Sequence, residues 1–236
     1  GAIVGALYAS GYSAEALDET LHNLDWAELL SDSAPRKYRS IRRKGEDQDA
    51  SINFEVGYKN GKFLLPNGLV RGNQLRLTLA KLMAKSNGAA HFDDLPIPFR
   101  AIAADLLTGE EVILEDGDLA SAVLASMSVP GLFPPFERGD QLLVDGGIVN
   151  NLPIDIARNM GADVVIVVDI SAPPATREDL NSFAKVLKQM ITLLTLKSRQ
   201  AQLETLSQND ILIKPDTTGI SLTDFTKTAD TVPKGA

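Results

Sequence analysis

Val164-Val165-Ile166-Val167-Val168 is a run of five β-branched residues, and its reading decides the fold. Such side chains are stiff at χ1 and favour extended backbone. An apolar run of this length without alternation reads as a strand covered on both faces, as in a parallel sheet flanked by helices. Just upstream, Pro153 sits at a favoured early helical position and Gly161 lies past the end, which brackets a helix. Downstream, Phe183, Val186, Leu187, Met190, Ile191 and Leu194 recur at helical spacing within a long helix over 178–207, and Ile211 to Ile213 reads as a last strand.

The same alternation continues toward the N-terminus. Gln141 to Val144 is a strand delivering Asp145, and Leu119 to Met127 is a helix broken by Pro130 and Gly131. Phe99 to Ala104 is a strand ending at Asp105, followed by a Thr108-Gly109 turn and a return strand from Glu111 to Leu114, a hairpin. Leu75, Leu79 and Leu82 mark an amphipathic helix over 72–86, and a further helix begins at Ser13. Residues 31–62 are polar and irregular, with Arg36, Lys37, Arg39, Arg42, Arg43 and Lys44, and read as a solvated loop; local contact with lipid head groups is the alternative. Strands alternating with helices argue an α/β domain with a largely parallel central sheet. With neither repeat nor linker, the 236 residues form one domain.

Composition narrows the chemistry. Lys and Arg total 23 against 31 Asp and Glu, a net charge of −8, so the chain lacks the basic surplus that non-specific binding to nucleic acid or to an anionic membrane requires. The absence of cysteine excludes disulfides, thiolate metal sites and a cysteine nucleophile. No apolar run approaches the ~20 residues of a membrane-spanning helix.

The first ten residues, Gly-Ala-Ile-Val-Gly-Ala-Leu-Tyr-Ala-Ser, carry no charge. A helix apolar on all sides belongs in a core, and Gly1 and Gly5 on one face would let another backbone approach. A buried helix is normally preceded by a turn and a cap, so the reading expects this element to continue upstream of Gly1.

Functional residues in open α/β sheets sit beyond the carboxyl ends of strands. Asp105, Asp145 and Asp169 all answer that description. One such aspartate alone reads as a turn or cap former. Asp145 stands apart because Gly146-Gly147 follow it, giving conformational freedom and close access to the carboxylate. Ser126-Met127-Ser128-Val129-Pro130-Gly131-Leu132-Phe133-Pro134-Pro135 is a second unusual stretch, a rigid apolar bend that lines a pocket or stiffens a core.

These stretches resemble, in order, the blocks of the patatin-like phospholipases. Ser126 to Pro135 is similar to the family's serine-and-proline block, and Val144-Asp145-Gly146-Gly147 with Asn151-Leu152-Pro153 to its Asp-Gly-Gly/Ala block. Phe99 to Gly109 resembles the strand and turn before them. The opening ten residues and Gly11 resemble the helix that follows the Gly-x-Ser-x-Gly elbow. The likeness is to bacterial members, including the exported branch fused to an outer-membrane barrel.

The resemblance implies a three-layer sandwich and a Ser-Asp dyad that hydrolyses acyl esters of phospholipids or other lipids, drawn from a membrane surface, without metal or cofactor. It implies Asp145 as proton acceptor, Gly1 as the last glycine of the elbow, and Gly146, Gly147, Pro130 and Phe133 around the substrate. The nucleophilic serine and the glycine-rich oxyanion loop are expected upstream of Gly1, since no Gly-x-Ser-x-Gly occurs in the sequence. An exported or outer-membrane-associated protein is favoured, with a cytoplasmic one left open. His22 and His91, the two histidines, read as surface or structural residues.

Three other readings compete. Asp105, Asp145 and Asp169 could hold Mg²⁺ in a phosphatase, although no Gly-x-x-x-x-Gly-Lys-Ser/Thr loop accompanies them. The chain could be a non-catalytic lipid-binding or scaffold module. Ser182-Phe183-Ala184-Lys185 matches the short serine-lysine pattern of β-lactamases, without its partner motifs.

Overall fold

The architecture was analysed in a computed structural model that describes residues 1–30, 57–59, 62–64, 70, 72–86, 89–171 and 173–216. Helix α1 spans Ala2–Ala9 and stops where Gly11 takes φ +94°. The Ser13 hydroxyl accepts the Ala16 N–H and caps α2, Ala14–Asn23; α3 is Trp26–Leu30. A small antiparallel hairpin pairs β1, Gly57–Lys59, with β2, Lys62–Leu64. The rest of the basic stretch expected as a solvated loop lies outside the described residues.

Helix α4, Asn73–Leu82, buries Leu75 and Leu79 as their spacing requires. The strand and hairpin expected around Asp105 are present as β3, Ala101–Asp105, and β4, Glu111–Leu114, with Ala101 opposite Leu114. The Asp118 side chain caps α5, Leu119–Ser126, by accepting the Ser121 N–H at 2.9 Å. Then come β5, Phe136–Arg138, and β6, Gln141–Asp145. Helix α6 is Ile154–Asn159, β7 is Ile166–Val168, α7 is Phe183–Leu203, and β8 is Ile211–Ile213.

The chain mixes helices with sheet as expected, but the strand directions differ from the expectation of a largely parallel sheet. The four-stranded sheet runs β4-β3-β6-β5 and every neighbouring pair in it is antiparallel. The cause is local: β3–β4 and β5–β6 are hairpins with short turns, and a short turn can only reverse the chain. The second hairpin turns at Gly139 (φ +60°) and Asp140. Parallel pairing occurs between β7 and β8, with Ile166 opposite Ile211, where α7 provides the crossover.

The main core lies between this sheet and the helices. Ala6, Leu7, Leu75, Leu79, Val123 and Leu143 are almost wholly excluded from water. A second, smaller cluster joins Leu152 and Ile154 to Val165 and Val167.

Two burial expectations are corrected. The 164–168 strand is covered on one face among the described residues: Val165 and Val167 are buried, whereas Val164, Ile166 and Val168 are exposed, Ile166 by 62%. Successive side chains point to opposite faces, and α6 and α7 supply cover for one of them. Likewise α1 buries Ala6, Leu7 and Ala9 but exposes Val4 and Tyr8, one turn apart on the same face.

Candidate active site

Asp145 closes β6 and stands opposite Ala103 of β3. Its backbone N–H donates to the Ser128 carbonyl at 3.0 Å, which ties the serine-and-proline bend directly to the Asp-Gly-Gly turn. Its Oδ1 accepts the Gly147 N–H at 2.7 Å. Burial raises the Asp145 carboxyl above the ordinary carboxylate range, opposed by the Gly147 hydrogen bond and the positive charge of the Gly1 amino group. Gly1 touches solvent, but its amino group lies in protein-dense surroundings that lower its affinity for a proton, with Asp145 pulling the other way. The Gly1 amino group at the head of α1 therefore acts electrostatically on the Asp145 carboxylate.

The two glycines after Asp145 are needed for space. Neither has a positive φ among the described glycines, so conformational freedom, the reason read from the sequence, does not apply. Gly146 is buried against β3, where an added Cβ would lie 2.9 Å from the Ala103 nitrogen and nearer still to the Ile102 carbonyl. A Cβ on Gly147 would lie 3.0 Å from both Asp145 Oδ1 and Asn151 Oδ1. Gly5 of α1 approaches the Phe99 ring, at 3.1 Å from a notional Cβ, rather than another backbone, and Gly1 has no neighbour within 4 Å of such an atom.

The remaining expected residues separate. Phe133 is 5% exposed and packs beside Gly72 in the main core. Pro130 is half-buried and pairs with Phe133 across the bend. The Ser128 hydroxyl is buried and donates to the Leu124 carbonyl at 2.7 Å, a helix-end bond.

The three strand-end aspartates do not converge. Because β3 and β6 are antiparallel, Asp105 and Asp145 lie at opposite ends of that pair, with Asp105 opposite Leu143. Asp105 Oδ1 accepts the Leu107 and Leu142 N–H groups and so shapes the turn. Asp169 is nearer the Asp145 end, but its carboxylate is engaged by the Arg199 guanidinium. Burial opposes its charge, and the hydrogen bonds from Arg199 and Ser171 outweigh that and hold its carboxyl below the usual range. This geometry removes the shared-cation reading.

The histidines take local roles. His91 Nδ1 accepts the Asp93 N–H at 3.2 Å, and the His22 ring bonds the Asp18 carbonyl on its own helix. Ser182 caps α7 by accepting the Lys185 N–H at 3.4 Å, which accounts for the serine-lysine spacing as a helix start.

Sequence reasoning placed Asn151 in the Asp-Gly-Gly block but gave the asparagines after the glycines no role. Asn150 is 5% exposed; its Nδ2 donates to Asp155 Oδ1, while its Oδ1 is buried without a partner among the described residues. Asn151 Nδ2 donates to the Ser171 hydroxyl at 3.0 Å, linking the loop after Asp145 to the end of β7. Two adjacent polar residues between an Asp-Gly-Gly turn and a helix were the available signal.

Comparison with known proteins adds the family. The patatin-like phospholipase model matches residues 1–158. The chain belongs to the patatin-like phospholipase family. It is similar to two uncharacterized NTE family proteins of Mycobacterium tuberculosis, 31% identical over 194 residues in one (81% of this chain, 45% of the relative) and 31% over 190 in the other (70% and 31%). Mouse patatin-like phospholipase domain-containing protein 7 is 41% identical over 97 residues, 40% of this chain and 7% of that protein. The chain thus spans less than half the length of these relatives.

Proposed function

We propose that this domain hydrolyses acyl esters of membrane-derived lipids through a Ser-Asp dyad in which Asp145 is the base. The observation that supports the reading is a half-buried Asp145 carboxylate at the end of β6, close enough to the Gly1 amino group at the head of α1 for each to act on the other's protonation. In the Gly-x-Ser-x-Gly elbow the nucleophile stands immediately before such a helix, so a serine two residues ahead of Gly1 would enter this space. Family membership supports lipid esters as the substrate class.

In the proposed reaction the serine hydroxyl gives its proton to Asp145 as its oxygen attacks the ester carbonyl. Backbone N–H donors upstream hold the oxyanion. Collapse breaks the ester bond, and the departing alcohol takes the proton from Asp145. Water then attacks the acyl-enzyme, passing a proton to Asp145, which returns it to the serine as the fatty acid leaves. The raised affinity of Asp145 for a proton makes it a better base than an exposed carboxylate.

The test is hydrolysis of diacyl- and lysophospholipid vesicles by the protein with its upstream segment, compared with Asp145→Asn. Loss of turnover with retained vesicle binding supports the dyad. Vesicle binding without turnover in either protein favours the lipid-binding module instead.

A further inference from the structure

Asp145 is fastened on two sides. One fastening is its own N–H on the Ser128 carbonyl. The other begins at Asn151. Asn151 Oδ1 and Asp145 Oδ1 bracket the same small space over Gly147, each 3.0 Å from the place a Cβ there would occupy. The Asn151 amide is held in that orientation because its Nδ2 donates to the Ser171 hydroxyl at 3.0 Å. The Ser171 N–H donates to Asp169 Oδ1 at 3.1 Å. Asp169, whose side chain is 1% exposed, receives Arg199 Nε at 3.1 and 3.0 Å on its two oxygens and Nη2 on one of them. The Asp169 N–H is in turn fixed to the Ile213 carbonyl of β8.

We infer that Asn151 and Ser171, anchored by the Asp169–Arg199 pair, form a positioning unit that sets the place of Asp145 relative to the head of α1. The inference rests on Asp145 being the base. A buried carboxylate held by two guanidinium nitrogens is a rigid anchor, and the chain of bonds transmits that rigidity from α7 and the β7–β8 pair to the loop that begins at Asp145. Displacements near 1 Å in a reacting group cost about a hundredfold in rate. Among the described residues, the charged group acting on Asp145 is the amino group of Gly1, which a preceding residue replaces with a peptide N–H; β3 opposes Asp145 with Ala103, the 128 bend with a carbonyl, and Arg199 and Asp169 bind each other behind Ser171.

The experiment is a pH series of kcat and KM on the full-length protein carrying Ser171→Ala or Asn151→Ala. The expected result is kcat reduced about tenfold to a hundredfold, KM changed little, and the acid limb of kcat/KM moved to lower pH, because a loosened loop lets water solvate the carboxylate. Ser171→Thr keeps the hydroxyl and restores both readouts. Arg158→Met removes the other ion pair of this region, Arg158–Asp210, which has no bond to the Asp145 loop; it lowers the melting temperature and leaves the acid limb in place. A wild-type acid limb and kcat in both Ser171→Ala and Asn151→Ala overturns the positioning unit, as does an equal shift in Arg158→Met. Asp145→Asn separates the two claims: full activity there overturns the dyad and the unit together, whereas its loss beside unaffected Ser171 and Asn151 variants overturns the unit alone.

Discussion

The amino group of Gly1 and the carboxylate of Asp145 lie close enough to shift each other's protonation, across the junction of α1 with the end of β6. Where Gly1 is joined to a preceding residue, its nitrogen is a peptide N–H and that positive charge is gone. Burial is then opposed by the Gly147 hydrogen bond without the ammonium's help. The expected acid limb of kcat/KM lies above the ordinary aspartate value of about 3.9, activity falling as pH drops through it because the base must be ionised. A pH profile of vesicle hydrolysis checks this; a limb at or below that value contradicts it.

Gly146 and Gly147 are expected to fail differently. Gly146→Ala pushes a methyl into the β3 backbone, where overpacking costs typically about 1–3 kcal/mol, and lowers the melting temperature. Gly147→Ala crowds the two side-chain oxygens and reduces turnover with a smaller loss of stability. Thermal unfolding and initial rates on both variants decide the matter.

Phe133, read from the sequence as a substrate-side residue, is expected to behave as core. Phe133→Ala leaves a cavity beside Gly72 and destabilises by about 3–5 kcal/mol, measured by urea unfolding. A stable variant with a raised KM would support the binding role instead.

Asp169 and Arg199 form a partly exposed guanidinium on a buried carboxylate. Arg199→Met strands that charge and costs about 3–5 kcal/mol. Since the folded-state proton affinity of Asp169 is lowered, the pair's contribution is present above the unfolded value near 3.9 and is lost as pH falls below it. Melting temperatures of wild type and Arg199→Met should therefore converge toward acid pH.

Local signals were legible wherever they were dense. The helix start at Ser13, the Leu75/Leu79 stripe and the Thr108-Gly109 hairpin all appear where their chemistry places them; the cap at Ser182 was not read. Asp145 was singled out by its setting after an apolar strand, and the structure makes it half-buried, with a carboxyl of raised proton affinity. The antiparallel order of the four-stranded sheet was not legible from the Val164–Val168 run, which pairs in parallel with β8 in a separate two-stranded sheet and says nothing of the direction of β3–β6. The Gly139-Asp140 turn between Arg138 and Gln141 was the missed hairpin signal, and with it β5. The convergence of Asp105 with Asp145 failed for the same reason: antiparallel register sends their ends apart. The tie from Asn151 to Ser171 joins residues distant in sequence, and no local pattern announces it.

The most direct test of the central claim is intact-mass measurement after treating the full-length protein and its Asp145→Asn variant with a fluorophosphonate that phosphonylates activated serines. The dyad account expects one adduct on the wild type, on a serine two residues before Gly1, and its loss in the variant. An adduct elsewhere, or equal labelling of both proteins, would contradict it.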